Sequence, residues 1–200
     1  MALSKIQSES INLADTFAFT GTVSGAGSEG LVHLETQEVT SAVTGLKFGS
    51  DVFNTTYNRY VVKGRILPTA DGNDLRFRFI DSSEADITTS SHFRRTINNG
   101  STTLTNHFPL VRAIGAATSN ETGTFFHIDI WLPHVGNSDY QSMVYSRGMR
   151  VNNGQVPSEE MATGVLRYDI VSTQPEGIHL YMSSNNIDKA NVSVFGVSKG

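Results

Sequence analysis

The sequence predicts an all-β protein, a jelly-roll-like antiparallel β-sandwich carrying an extended N-terminal arm. Three observations predict it. Charged residues make up only 17% of the 200-residue chain, and Ser, Thr and Asn fill their place in runs such as Ser50–Thr56 and Ser101–Asn106. Short hydroxyl and amide side chains compete with helical hydrogen bonding, while Thr and the aromatics suit pleated strands. Short apolar runs with period-2 alternation then recur between polar turns such as 136–138, 152–154 and 183–186.

The chain divides into an arm (1–30), a connecting segment (31–50) and the sandwich (51–200). In the arm, Ile11, Leu13, Phe17, Phe19 and Val23 are apolar, and a Gly/Ser-rich linker runs from Ser24 to Gly30. A strand-like segment this short builds no core alone, so these five residues are expected to dock on the sandwich or on another subunit. Tyr60–Leu67 and Leu75–Ile80 are expected to form a hairpin around the turn-forming residues Pro68–Asp74. In the second strand Leu75, Phe77 and Phe79 face one way, and Arg76 and Arg78 the other. Pro109 confines the run Phe108–Ile114 to an edge or a strand start. In Phe125–Leu132 the even positions form one apolar face, opposite Phe125, His127, Asp129 and Trp131. Further strands are expected at Gln141–Ser146, Val165–Ile170, Gly177–Met182 and Asn191–Val197, with one helical turn at Pro157–Ala162.

Composition excludes several chemistries. With no cysteine there is no disulfide, thiolate metal site or cysteine nucleophile. The net charge of −4 supplies no basic field for nucleic acid, and no apolar run reaches the roughly 20 residues of a spanning helix. Met1–Ser10 lacks the apolar stretch of a secretory signal. No nucleophile elbow, P-loop or dinucleotide turn is present, so no catalytic residue, metal or cofactor is expected.

His127 and Asp129, with His134 shortly after, have the spacing of a His–carboxylate pair or part of a metal site. Trp131 is the single tryptophan. Beside Asp129 and His127 it makes a candidate glycan-binding set, because a sugar stacks its C–H face on a ring while its hydroxyls take polar partners. The competing readings are a strand buried on both faces and a subunit interface. Tyr140, Tyr145 and Tyr181 share that ambiguity.

The opening Met1–Ser10, its continuation Asn12–Val23, the segments Tyr57–Val62 and Leu67–Phe79, and the ending Asn185–Ile187 with Val192–Val197 resemble virion structural proteins of marine tailed phages. The resemblance implies a non-enzymatic tail-fibre or appendage subunit on the outer surface of the virion. It further implies an anchoring arm, other virion proteins as partners, a homo-oligomer with the trimer favoured, and contact with host surface polysaccharide. A capsid decoration or fibre protein reinforcing the head is the alternative, and a carbohydrate-cleaving enzyme a third.

Overall fold

The computed structural model describes residues 30–88, 93–97, 102–114, 124–132, 142–151, 157–166 and 175–197. They form two packed antiparallel sheets. The larger has the order β1-β12-β3-β8-β9-β10-β5-β6, the smaller β2-β11-β4-β7. In chain order the strands are β1 (Leu31–Val39), β2 (Gly45–Phe48), β3 (Arg59–Pro68), β4 (Asn73–Ile80), β5 (Phe93–Ile97) and β6 (Thr102–Thr105). They continue with β7 (Phe108–Ile114), β8 (Thr124–Trp131), β9 (Ser142–Val151), β10 (Pro157–Leu166), β11 (Gly177–Met182) and β12 (Ile187–Val197).

The core lies between the sheets. Tyr60, Val62 and Ile66 of β3, Ile128 and Ile130 of β8, and Val192 and Val194 of β12 face Phe77 and Phe79 of β4, Phe108 of β7 and Leu180 of β11. The rings of Phe79 and Phe108 meet that of Phe77 edge-on, with centroids 4.9 and 5.9 Å away. Tyr60 is wholly buried and donates its hydroxyl to the Asn54 carbonyl at 2.5 Å. Burial raises its phenol above the ordinary range, against the lowering effect of that hydrogen bond.

Several expectations are corrected. Tyr60–Leu67 and Leu75–Ile80 are not hairpin partners. β3 pairs with β12 and β8, whereas β4 pairs with β11 and β7 in the other sheet. Both strands carry a strongly apolar face, and crossing between sheets sets those faces against each other across the core. Gly72, at φ 75°, provides the left-handed residue of that crossing. The buried Asn73 ties it down by donating to the Ala70 carbonyl at 2.7 Å and accepting from the Ser184 hydroxyl at 2.6 Å.

The segment 31–50, expected as a connector, supplies β1 and β2. β1 is a largely exposed edge strand held by its ladder to β12, and it lacks the apolar alternation that marks a half-buried strand. Pro157–Ala162, expected as a helical turn, belongs to β10, which pairs with β9 along its full length. Pro157 is the first residue of that strand, where a missing N–H is tolerated, and the ladder outweighs the local helix signals. The strand expected from Val165 therefore ends at Leu166 and starts upstream, while 167–170 fall outside the described residues. β9 runs on to Val151, beyond the expected end at Ser146. The arm residues Ile11, Leu13, Phe17, Phe19 and Val23 lie outside the described residues.

Candidate functional site

The outer face of the larger sheet is built from β3, β8, β9 and β10. Along β8, Phe126, Ile128 and Ile130 turn into the core, which leaves Phe125, His127, Asp129 and Trp131 outside. β9 turns its small and aliphatic residues inward. Ser142, Ser146 and Gly148 face inward while Met143, Tyr145, Arg147 and Met149 face out. The interior demands small residues here because β7 packs closely: a Cβ on Gly148 would sit 2.2 Å from Val111 Cγ2.

Register sets these outward side chains in rows across the strands. One row is Arg59, Trp131 and Met143; the next is Val61, Asp129, Tyr145 and Thr163; the third is Lys63, His127, Arg147 and Met161; the fourth is Arg65, Phe125, Met149 and Glu159. Side chains directly opposite or diagonal to each other on adjacent strands interact, as do next-but-one neighbours on one strand face, and these do. Arg59 Nε donates to Asp129 Oδ1 at 2.8 Å, and its guanidinium lies 5.7 Å from the Trp131 ring centroid. His127 Nε2 lies 3.4 Å from Asp129 Oδ2. The Arg65 guanidinium stands 5.9 Å from the Phe125 ring, the Tyr145 hydroxyl donates to Met161 Sδ at 3.5 Å, and Arg147 pairs with Glu159.

The structure thus brings together Trp131, Asp129 and His127, and Trp131 is 47% exposed, not buried on both faces. It lines a shallow groove of about 350 Å³ with Arg59, Asp129, Met143, Tyr145 and Thr163. Asp129 is no free acceptor, since one carboxylate oxygen meets Arg59 and the other faces His127. Sequence reasoning missed Arg59, Met143, Met149 and Met161. The signal was present in the alternation of Met143, Tyr145, Arg147 and Met149 against Ser, Val and Gly, an apolar row opposite a small one. His134 and Tyr140 lie outside the described residues. Among the described residues no three His, Asp or Glu side chains are grouped to hold a metal ion.

A second polar cluster sits outside the smaller sheet. Asp86 pairs with His179 Nδ1 at 2.8 Å and with Arg78 Nη1 at 2.9 Å. Arg78 Nε also donates to the Asn106 carbonyl at 3.0 Å, and its guanidinium lies 4.8 Å from the Tyr181 ring. Burial pushes the Asp86 carboxyl up, but hydrogen bonds and charge from Arg78 and His179 outweigh it and hold the group below its ordinary range. Burial also lowers the His179 imidazole, overriding the opposing pull of Asp86. The far ring nitrogen of His179 packs over Gly45, where a Cβ would be 2.2 Å away. The His179 side chain keeps about a fifth of its surface exposed, with Nδ1 committed to Asp86.

No protein-family model matches this chain, and no curated protein matches it. A solved structure, a protein of unknown function from Shewanella oneidensis MR-1, aligns over 92% of this chain and 87% of its own, with 10% identity and a TM-score of 0.23. A likeness of that size carries no argument about fold or function.

Proposed function

We propose that this chain is a non-enzymatic structural protein of a phage virion, a tail-fibre or appendage subunit on the outer surface. In this reading the segment ahead of Gly30 anchors it, and the outer face of β3, β8, β9 and β10 meets its partners. The observation that carries the partner-binding part of the reading is that face. Phe125, Trp131, Met143, Tyr145, Met149 and Met161 are all exposed on adjoining rows, with Arg59 and Arg65 among them. Trp, Tyr, Met and Arg are the residue types enriched where protein surfaces meet, and here they share one sheet face with interleaved charged side chains.

Strand order supports a jelly roll. Setting aside β5, β6, β9 and β10 leaves β1-β12-β3-β8 over β2-β11-β4-β7. Renumbered in chain order these are 1-8-3-6 and 2-7-4-5, the arrangement of two Greek keys in an eight-stranded jelly roll, an architecture used in viral capsids and lectins. The four strands set aside extend one sheet and with it the partner face. Architecture alone assigns no function; the virion location rests on the sequence resemblance, and other virion proteins and sister chains, in a trimer, are its partners.

Gold-labelled antibody against the chain, imaged on purified phage particles by electron microscopy, tests the reading directly. Label on tail or appendage is the expected result, and unlabelled particles that also lack the chain by mass spectrometry overturn it. The three exposed methionines favour protein contact over sugar contact at this face, and label on the head selects the alternative of a capsid decoration protein. Contact with host polysaccharide at the Arg59–Trp131 groove predicts glycan-array binding that Trp131→Ala abolishes. Binding unchanged in that variant removes the groove as a sugar site.

A further inference from the structure

β1, β12 and β3 enclose a second groove, at the opposite end of β3 from Arg59, with a volume of about 460 Å³. That lies within the roughly 300–1,000 Å³ of small-ligand sites. Its floor is apolar: Val39, Leu67 and Ala190 are 8%, 6% and 7% exposed. Its rim is polar and exposed. Register aligns Glu38, Asn191 and Arg65 in one row across the three strands, and Thr40 and Lys189 stand beside that row. The Arg65 guanidinium rests over the Phe125 ring, 5.9 Å from its centroid.

A bulge brings Lys189 to this rim. Strict alternation along β12 sets Ile187, Lys189 and Asn191 on one face, yet Ile187 is wholly buried while Lys189 and Asn191 are exposed. The ladder to β3 shifts register between Ile187 and Lys189, and the extra residue, Asp188, exchanges the faces of the strand. Ile187 and Ala190 thereby both stay in the core, and a cation joins the outer row.

Charge and spacing select the ligand. Two cations, Arg65 and Lys189, stand against one carboxylate, Glu38, a local positive excess on a chain of net charge −4. The cations suit a carboxylate, whereas ionised Glu38 only accepts hydrogen bonds and calls for a donor such as a hydroxyl. A bare phosphate dianion brings no donor and is repelled by Glu38. A free amino acid carries both charges on one carbon, but Glu38 and Arg65 stand on strands two spacings apart, roughly 10 Å. A pyranose ring bearing a carboxylate has the anion, hydroxyls spread round its edge, and a C–H face for the apolar floor.

We propose that this groove binds the uronic-acid residues of an acidic polysaccharide. Lys189 and Arg65 take the carboxylate, Thr40, Asn191 and Glu38 the hydroxyls, and the ring lies over Val39, Leu67 and Ala190. The site is separate from the Arg59–Trp131 groove and does not depend on where the protein resides.

Calorimetric titration of the whole chain with tetragalacturonate tests this. Saturable binding is expected. The tetramer with its carboxyls reduced to alcohols binds about tenfold or more weakly, and so does tetragalacturonate to Lys189→Gln. Asn191→Ala weakens binding about fivefold, and Trp131→Ala leaves it unchanged. Lys189 and Asn191 are exposed, and circular dichroism shows that their variants keep the sheet content. Absence of saturable binding overturns the proposal, as does equal affinity for the reduced tetramer or an unaltered affinity in Lys189→Gln. Binding lost in Trp131→Ala but kept in Lys189→Gln moves the sugar to the other groove and overturns this site. Each of these results stands apart from the particle labelling, which reads location alone.

Discussion

The tie between Asn73 and Ser184 is a direct test of the crossing between sheets. Asn73 is 1% exposed and stands at the start of β4, 111 positions from Ser184 in the turn between β11 and β12. Its amide donates to the Ala70 carbonyl at 2.7 Å, and its carbonyl oxygen accepts from Ser184 N at 3.2 Å and Ser184 Oγ at 2.6 Å. Asn73→Ala removes three sound hydrogen bonds from a buried site, and at a net ~1 kcal/mol each the loss is about 3 kcal/mol. For a chain of this size that lowers Tm by roughly 6–12 °C. Ser184→Ala removes the hydroxyl bond to Asn73 together with a long, exposed contact from Asn185 Nδ2 at 3.4 Å, and costs about 1 kcal/mol. In the double variant that bond is already gone, so the two effects fall short of additivity by about 1 kcal/mol. Urea unfolding of the four proteins, with m unchanged, measures the coupling. A shift under about 2 °C for Asn73→Ala, or strict additivity, refutes the crossing, because a β3–β4 hairpin gives these residues no reason to meet.

Other outcomes follow from the same geometry. Gly148→Ala drives a methyl group into Val111 and destabilises by about 1–3 kcal/mol, and Val111→Ala in the same chain recovers part of that loss by making room; thermal melts of the pair check it. His179 is held neutral in the fold below its ordinary value of 6.5, so the unfolded chain binds more protons and stability falls as pH drops through 6.5 towards the folded value. Asp86 is depressed, so its contribution is present above the ordinary carboxylate value of 3.8 and is lost as pH falls through its lower folded value. Urea midpoints between pH 7.5 and 5 show the first decline, and His179→Gln flattens it. Asp129→Ala leaves Arg59 without its carboxylate, and because that pair is partly solvated the cost is only about 1 kcal/mol, read as a Tm decrease of roughly 2–4 °C.

Local alternation made the strands of the interior legible before any coordinates. Leu75, Phe77 and Phe79, like Phe126, Ile128 and Ile130, alternate with polar neighbours, and period 2 names their buried face at once. The partners of these strands were not legible. The turn residues between β3 and β4 are as compatible with a hairpin as with a crossing, and what decides between them is the fit of two apolar faces distant in sequence. β1 was missed because an edge strand needs only its backbone ladder, and Glu35, Gln37 and Glu38 are acceptable in one. β10 was misread because Pro157 and two glutamates suit a helix start, while the ladder from β9 that overrides them is non-local. Within the candidate site, Trp131, Asp129 and His127 were visible as one strand face. Arg59, which fixes the Asp129 carboxylate, comes from a strand 70 positions away and is visible only through register.

The two outer faces of the molecule differ in how deeply their charged groups are buried, although outside the smaller sheet Arg76 Nε and the Tyr181 hydroxyl are buried without a hydrogen-bond partner among the described residues. Outside the smaller sheet, Arg78, Asp86 and His179 are about four-fifths buried, and each is paired with another of the three. Breaking those pairs to admit a partner leaves charges desolvated and uncompensated, an expensive exchange. Outside the larger sheet there are ion pairs as well, Arg59 with Asp129 and Arg147 with Glu159, but they stand among exposed apolar side chains. Its rings and thioethers are half in water, and covering them returns roughly 25 cal/mol for each Å² of apolar surface removed. Its cations already lean over those rings: Arg59 on Trp131, Arg65 on Phe125 and Lys63 on Phe195, with the Lys63 ammonium 4.5 Å from the ring centroid. A partner laid over the rings strengthens these contacts by excluding water, provided that it leaves the Arg59–Asp129 and Arg147–Glu159 pairs intact. The face of β3, β8, β9 and β10 is therefore the side of the sandwich on which covering the exposed rings and thioethers stabilises most.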